Sequence, residues 1–116
     1  MKRPTKQKLM PLKVAKTVPP MYSTESVELE DKVLYVKLFA TGGRGTWYIA
    51  EYDPEERQAF GFVVSPLGPD CDEWGYISID ELEALCVRPA GSPMPIWIER
   101  DEWFTPIKFS QLKGRG

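Results

Sequence analysis

The chain has no histidine among its 116 residues and only two cysteines, Cys71 and Cys86. Without histidine the commonest general base is missing, and with it the ordinary Ser–His or Cys–His nucleophile. Two cysteines supply neither a disulfide framework nor a zinc set, and both read as free thiols in a reducing compartment. Long apolar runs are lacking as well. Nothing approaches the ~18 residues of a membrane span. Lys6, Lys8, Lys13 and Lys16 break up any signal-peptide core behind Lys2 and Arg3. These absences lead us to expect a cytoplasmic protein that uses no membrane, no metal and no cofactor.

Acidic residues are missing from both ends. Residues 1–16 carry six Lys/Arg and no acid, and Lys108, Lys113 and Arg115 follow the last acid. All seventeen acids fall between Glu25 and Glu102, against six basic residues there, so this body carries −11 beneath an overall charge of −2. Basic ends on an acidic body steer the choice of partner.

What is present suits a packed core. Hydrophobic residues make up 42% of the chain and fourteen residues are aromatic, enough to bury an interior in one domain of this size. We expect a mobile basic arm over 1–18, a single domain over 19–112 and a basic tail over 113–116. Pro11 is expected to stop any helical turn begun at Lys6, and Ser23 to cap a single turn.

Three apolar runs, about 32–40, 46–52 and 58–64, are rich in β-branched and aromatic residues and separated by the turns Thr41–Gly45 and Asp53–Arg57. They predict an antiparallel meander. Strict alternation puts Trp47, Ile49 and Glu51 on one face of the second strand, and Tyr48, Ala50 and Tyr52 on the other. On the first strand the aliphatic set Leu34, Val36, Leu38 and Ala40 is the better core face. Gly61 marks either a bulge or a ring lying across the backbone. A short strand over 74–78 leads into a helix over 79–87, with Ser78 as N-cap, Glu81 at the capping-box position and Ile77/Leu82 at the staple positions. Ile96–Ile98 predicts a fifth strand, Asp101–Phe104 a turn whose aromatics close the core, and Ser110 the start of a short helix. The expected fold class is α+β, a four- to five-stranded mainly antiparallel sheet with one capped helix packed on one face.

No motif carries catalysis. Gly42–Gly45 lacks the Lys-Ser/Thr and the helix of a phosphate loop, so it reads as a hairpin turn. The carboxylates Glu51, Glu73, Glu99 and Asp101, with Arg100, admit three uses: structural ion pairs, a ligand or metal site, or acid–base chemistry. The candidate ligand or partner site is therefore Trp47, Glu51, Glu73, Tyr76, Glu99, Arg100 and Asp101, and an enzyme reading requires the charged members to converge in one pocket. The aromatics could stack on single-stranded nucleic acid, but their strands carry acids, so core packing is the expectation. In the arm, Lys2, Arg3, Lys6, Lys8, Lys13 and Lys16 are candidate nucleic-acid contacts, and deleting 1–16 is expected to leave the fold intact. The acidic body suits a basic protein surface or mimicry of DNA.

Several separated stretches carry a resemblance. They are Pro20–Glu25, Asp31-Lys32 before a strand, Trp47–Tyr52, Phe60–Val64, Glu73–Ser78 with Glu81–Glu83, and Ile98–Asp101 with Phe104 and Pro106. In this order, over about 19–112, the chain resembles the family catalogued as domain of unknown function 2958. The resemblance implies a stand-alone cytosolic bacterial protein of the kind carried by plasmids, integrated elements or phages, with no assigned activity. The leading expectation is a non-catalytic binding or accessory module of such a mobile element, with an unknown protein or nucleic-acid partner. The alternatives are a carboxylate/arginine enzyme site and nucleic-acid binding through the arm.

Overall fold

The computed structural model describes residues 2–112; the expected basic tail over 113–116 lies outside them. Eight strands form among the described residues: β1 (Val33–Leu34), β2 (Val36–Ala40), β3 (Thr46–Asp53), β4 (Gln58–Val64), β5 (Glu73–Ser78), β6 (Cys86–Val87), β7 (Ile96–Arg100) and β8 (Ile107–Lys108). Among the described residues two short α-helices, α1 (Leu12–Ala15) and α2 (Ile79–Ala84), and three 3-10 turns accompany them. The main sheet has the order β5-β4-β3-β2-β7-β6, while β1 and β8 make a separate two-stranded ladder. The α+β class and the antiparallel meander β2–β5 are present, but the sheet has six strands rather than four or five. The extra strand comes from residues expected to be helical. α2 stops at Ala84, and Cys86 and Val87 pair with Trp97 and Ile96 at the rim of β7, where a β-branched residue finds ladder partners.

Ser78 caps α2 as its sequence foretells, its Oγ accepting from the Glu81 N–H at 3.2 Å. At the other turn, Asp53 Oδ1 accepts from the Glu55 and Glu56 N–H groups at 3.0 and 3.4 Å.

The sheet buries both faces. On one, Ile79 and Leu82 of α2 join Val36, Leu38, Ile49, Tyr52, Ala59, Ile77 and Ile98. On the other, Leu34, Tyr48, Ala50, Val64 and Leu112 are covered by Phe104, Ile107 and Phe109 of the C-terminal segment. The aliphatic set of the first strand is thus divided, because the chain breaks at Tyr35 and sends Leu34 to the second face. Of the aromatics in the 101–104 turn, Phe104 packs on Tyr48 with ring centroids 5.9 Å apart. Trp103 does not close the core: it is 92% exposed.

The arm is packed, which corrects the expectation of a mobile segment. Leu9 and Met10 are buried in the first cluster, and α1 begins directly after Pro11, a residue tolerated at a helix start. The arm also covers an open edge. β6 protects only the first part of β7, and beyond it Arg3 Nη1 donates to the Ile98 carbonyl at 3.3 Å. The Gln7 amide accepts from the Arg100 N–H at 2.6 Å and donates to the Arg100 carbonyl at 3.1 Å. One side-chain amide thus takes the place of a neighbouring strand, satisfying groups that an edge leaves free. Deleting 1–16 would strip two buried side chains worth about 1.5–3 kcal/mol each, so such a deletion is no neutral test.

Strict alternation fails on β3. Between Ile49 and Glu51 the register with β4 shifts: Ile49 faces Gly61 and Glu51 faces Phe60, leaving Ala50 as the extra residue of a β-bulge. Tyr52 thereby shares the first face with Ile49, and Glu51 moves to the second. Gly61 permits the bulge, since a Cβ there would lie 1.7 Å from the Tyr48 carbonyl oxygen. Gly61→Ala should therefore lower stability by about 1–3 kcal/mol, the usual cost of overpacking. Urea denaturation checks this; an unchanged midpoint would mean that the strands do not approach so closely.

Candidate functional site

The C-terminal segment rests on the middle of the second face, Phe109 lying 4.7 Å from Phe62 and 5.0 Å from Trp74 between ring centroids. Two hollows hold most of the proposed site residues. The larger, about 800 Å³, is lined by Glu99, Arg100 and Asp101 together with Lys37, Arg44 and Trp103. The smaller, about 360 Å³, is lined by Glu51 and Tyr76 together with Tyr22, Phe60, Glu25 and Lys32. The proposed carboxylates and Arg100 therefore do not converge. Glu73 stands exposed at the start of β5, at the opposite side of the sheet from β7. Trp47 packs half-buried against the first-face cluster, away from Glu51. Among the described residues, no three His, Cys, Asp or Glu side chains are grouped to hold a metal ion.

Glu51 is the best-held of these groups. It is 3% exposed, and its partner is Lys32 rather than an arginine, with Nζ 3.8 Å from Oε2. Oε1 accepts from the Tyr22 N–H at 2.8 Å, and Oε2 accepts from the Thr24 N–H at 3.1 Å and from the Thr24 hydroxyl. Lys32 Nζ donates in turn to the Thr24 carbonyl at 2.5 Å and the Thr24 Oγ1 at 2.8 Å. The pair thus pins the 20–24 turn to β3. A carboxylate accepting three bonds beside a buried cation is occupied in holding structure. The turn carries a cost, because Tyr22 adopts the left-handed region at φ 68°. Tyr22 is held there by its N–H bond to Glu51, and its ring stands beside Tyr76. The Tyr76 hydroxyl is pushed above the ordinary tyrosine value by its hydrogen bond with Tyr22, then by the Tyr22 charge, burial, Glu25 and Glu51.

In the larger hollow Arg100 is likewise engaged: Nη1 donates to the Lys8 and Leu9 carbonyls, and Nη2 lies 3.7 Å from Glu102. Asp101 accepts from the Trp103 N–H at 2.9 Å. Arg44 grips Asp72 through both terminal nitrogens, at 2.8 and 2.6 Å, and holds the Asp72 carboxyl below the ordinary carboxylate range. Lys37 sits 6.0 Å from the centroid of the Tyr48 ring. Glu99 Oε2 and Trp97 Nε1 are buried without a hydrogen-bond partner among the described residues.

The cations of the arm divide by role. Arg3 is used in docking, whereas Lys2, Lys6, Lys8, Lys13 and Lys16 are exposed. Sequence reasoning missed Tyr22, Lys32 and Phe60 as site residues. Lys32, directly after the acids Glu28–Asp31, offered only a weak signal, and nothing local links it to Glu51.

The family described as "Protein of unknown function (DUF2958)" matches residues 13–111, most of the chain. The chain belongs to that family. No curated protein and no solved structure matches it. Among the described residues no helix is long and apolar enough to cross a membrane.

Glu83 ties the arm to α2. Its Oε2 accepts from the Leu9 N–H at 2.9 Å and its Oε1 from Arg57 at 2.9 Å. Burial pushes the Glu83 carboxyl up, but the bonds from Arg57 and Leu9 outweigh it and hold the group below the ordinary glutamate value. A depressed folded value contributes stability above the unfolded value, lost as pH falls through the folded one. Amide exchange at Leu9 should therefore speed up, relative to the core of β4, as the solution is acidified below the ordinary carboxylate range. Glu83→Gln should flatten that dependence; the same acid response in the variant would show that another group controls docking.

Proposed function

We propose that the chain is a non-catalytic binding module, serving a bacterial mobile element in the cytoplasm and acting through charged and aromatic contacts with a macromolecular partner. One observation carries this reading: the charged groups that sequence alone offers for chemistry do not converge, Glu51 and Arg100 among them being occupied in holding segments together, while aromatic and apolar side chains stay exposed on the acidic body. Glu51, Arg100, Asp72 and Glu83 each accept or donate bonds that fix a turn, the arm or a loop. Meanwhile Tyr22, Tyr76 and Trp103 are 58%, 57% and 92% exposed. The setting is the one that the family resemblance implies.

A second reading, nucleic-acid binding by the arm, is favoured by the outward placement of Lys2, Lys6 and Lys8 along the docked segment. Its variants must preserve Leu9 and Met10. The test is a pull-down from bacterial lysate with the wild-type chain and with Lys2→Glu/Lys6→Glu/Lys8→Glu. If the acidic body binds, capture falls steeply between low and moderate salt and survives the charge reversal. Capture that is nuclease-sensitive and lost on charge reversal favours the arm, and a response flat in salt contradicts both.

A further inference from the structure

Four of the nine exposed large hydrophobic residues among the described ones, Tyr22, Val27, Leu29 and Tyr76, line the smaller hollow. An apolar group of this kind with a polar rim marks a contact surface. Phe60 forms its floor, its ring edge-on to Tyr76 with centroids 5.5 Å apart. The charge around these rings has one sign. Lys32 is buried and committed to Glu51 and Thr24, which leaves Glu25 and Glu28, both exposed and in no ion pair among the described residues. Tyrosine faces attract cations, carboxylates at the rim add Coulomb attraction, and a flexible aliphatic stem lies well against Val27 and Leu29. A volume of about 360 Å³ is ample for one long side chain.

We infer that the Tyr22–Phe60–Tyr76 hollow receives an arginine or lysine side chain from a basic segment of a partner protein. This deepens the binding reading above and rests on it. Tyr22 and Tyr76 form the walls, Glu25 and Glu28 meet the cationic head, and Glu51 is a positioning residue that holds Tyr22 in place through its backbone N–H. β5, which carries Tyr76, is an edge strand paired among the described residues with β4 alone, so backbone groups for an extended partner segment lie alongside.

The probe is the peptide acetyl-Gly-Gly-Arg-Gly-Gly-amide, compared with the same peptide carrying citrulline, which keeps the shape and removes the charge. Ring-proton shifts of Tyr22, Phe60 and Tyr76 are followed by NMR in the full chain. Saturable shifts confined to these rings are expected, with the arginine peptide preferred about tenfold. Glu25→Gln/Glu28→Gln should abolish that preference while leaving the fold and the Glu51 hydrogen bonds unchanged. Absence of shifts up to about 10 mM peptide, equal response to citrulline, or ring shifts that depend on protein concentration alone would overturn the inference; the last would assign the hollow to a second copy. A partner captured equally well by wild type and by Glu25→Gln/Glu28→Gln would also overturn it, while leaving the broader binding reading in place.

Discussion

A single extra residue in β3 governs what the second face of this sheet can present. Ala50 bulges out beside the Ile49–Gly61 pair, and the shift carries Glu51 from the face of Trp47 and Ile49 to the face of Phe60 and Tyr76. The bulge needs a partner without a Cβ, and Gly61 supplies one. Once inside, Glu51 cannot stay unpartnered, because a buried carboxylate costs several kcal/mol without compensation. Lys32 and the 20–24 turn provide the compensation. The turn is therefore fixed, Tyr22 is held in a strained conformation, and the smaller hollow has its second wall.

The same economy of polar groups runs through the arm. A basic segment on an acidic body would be attracted loosely by charge alone, with an energy that salt screens away. Here it is held by directed bonds: Gln7 substitutes for a strand beside β7, Glu83 receives the Leu9 N–H, and Arg100 reaches the Lys8 and Leu9 carbonyls. Leu9 and Met10 then complete the first-face core. Docking uses Arg3 and leaves the lysines outside, so the molecule presents a basic strip and acid-rimmed aromatics as separate features.

Legibility from sequence followed the range of the interaction. β4 was readable to its end residues because its apolar pattern is flanked by turn residues on both sides, and the Ser78 cap because it depends on residues three apart. The Asp53 turn is local in the same way. Facing on β3 was not legible, since alternation assumes an unbroken pleat and the bulge depends on Gly61, a residue of another strand. Glu51 finds Lys32 nineteen positions earlier, and Gln7 finds Arg100 ninety-three positions later. No spacing rule reaches that far. Residues 86–87 read as helix because their partners on β7 come after them, and Trp103 reads as core because composition does not reveal which side of a turn faces water.

The dependence on Glu51 can be read directly from the amides it binds. Hydrogen exchange of the Tyr22 and Thr24 N–H groups, measured by NMR in the wild-type chain and in Glu51→Gln, is the closest test. The account predicts that both amides are strongly protected in the wild type and that both lose protection in the variant, while β4 amides such as Ala59 keep theirs. Unprotected Tyr22 and Thr24 amides in the wild type, or protection indifferent to the substitution, would contradict it.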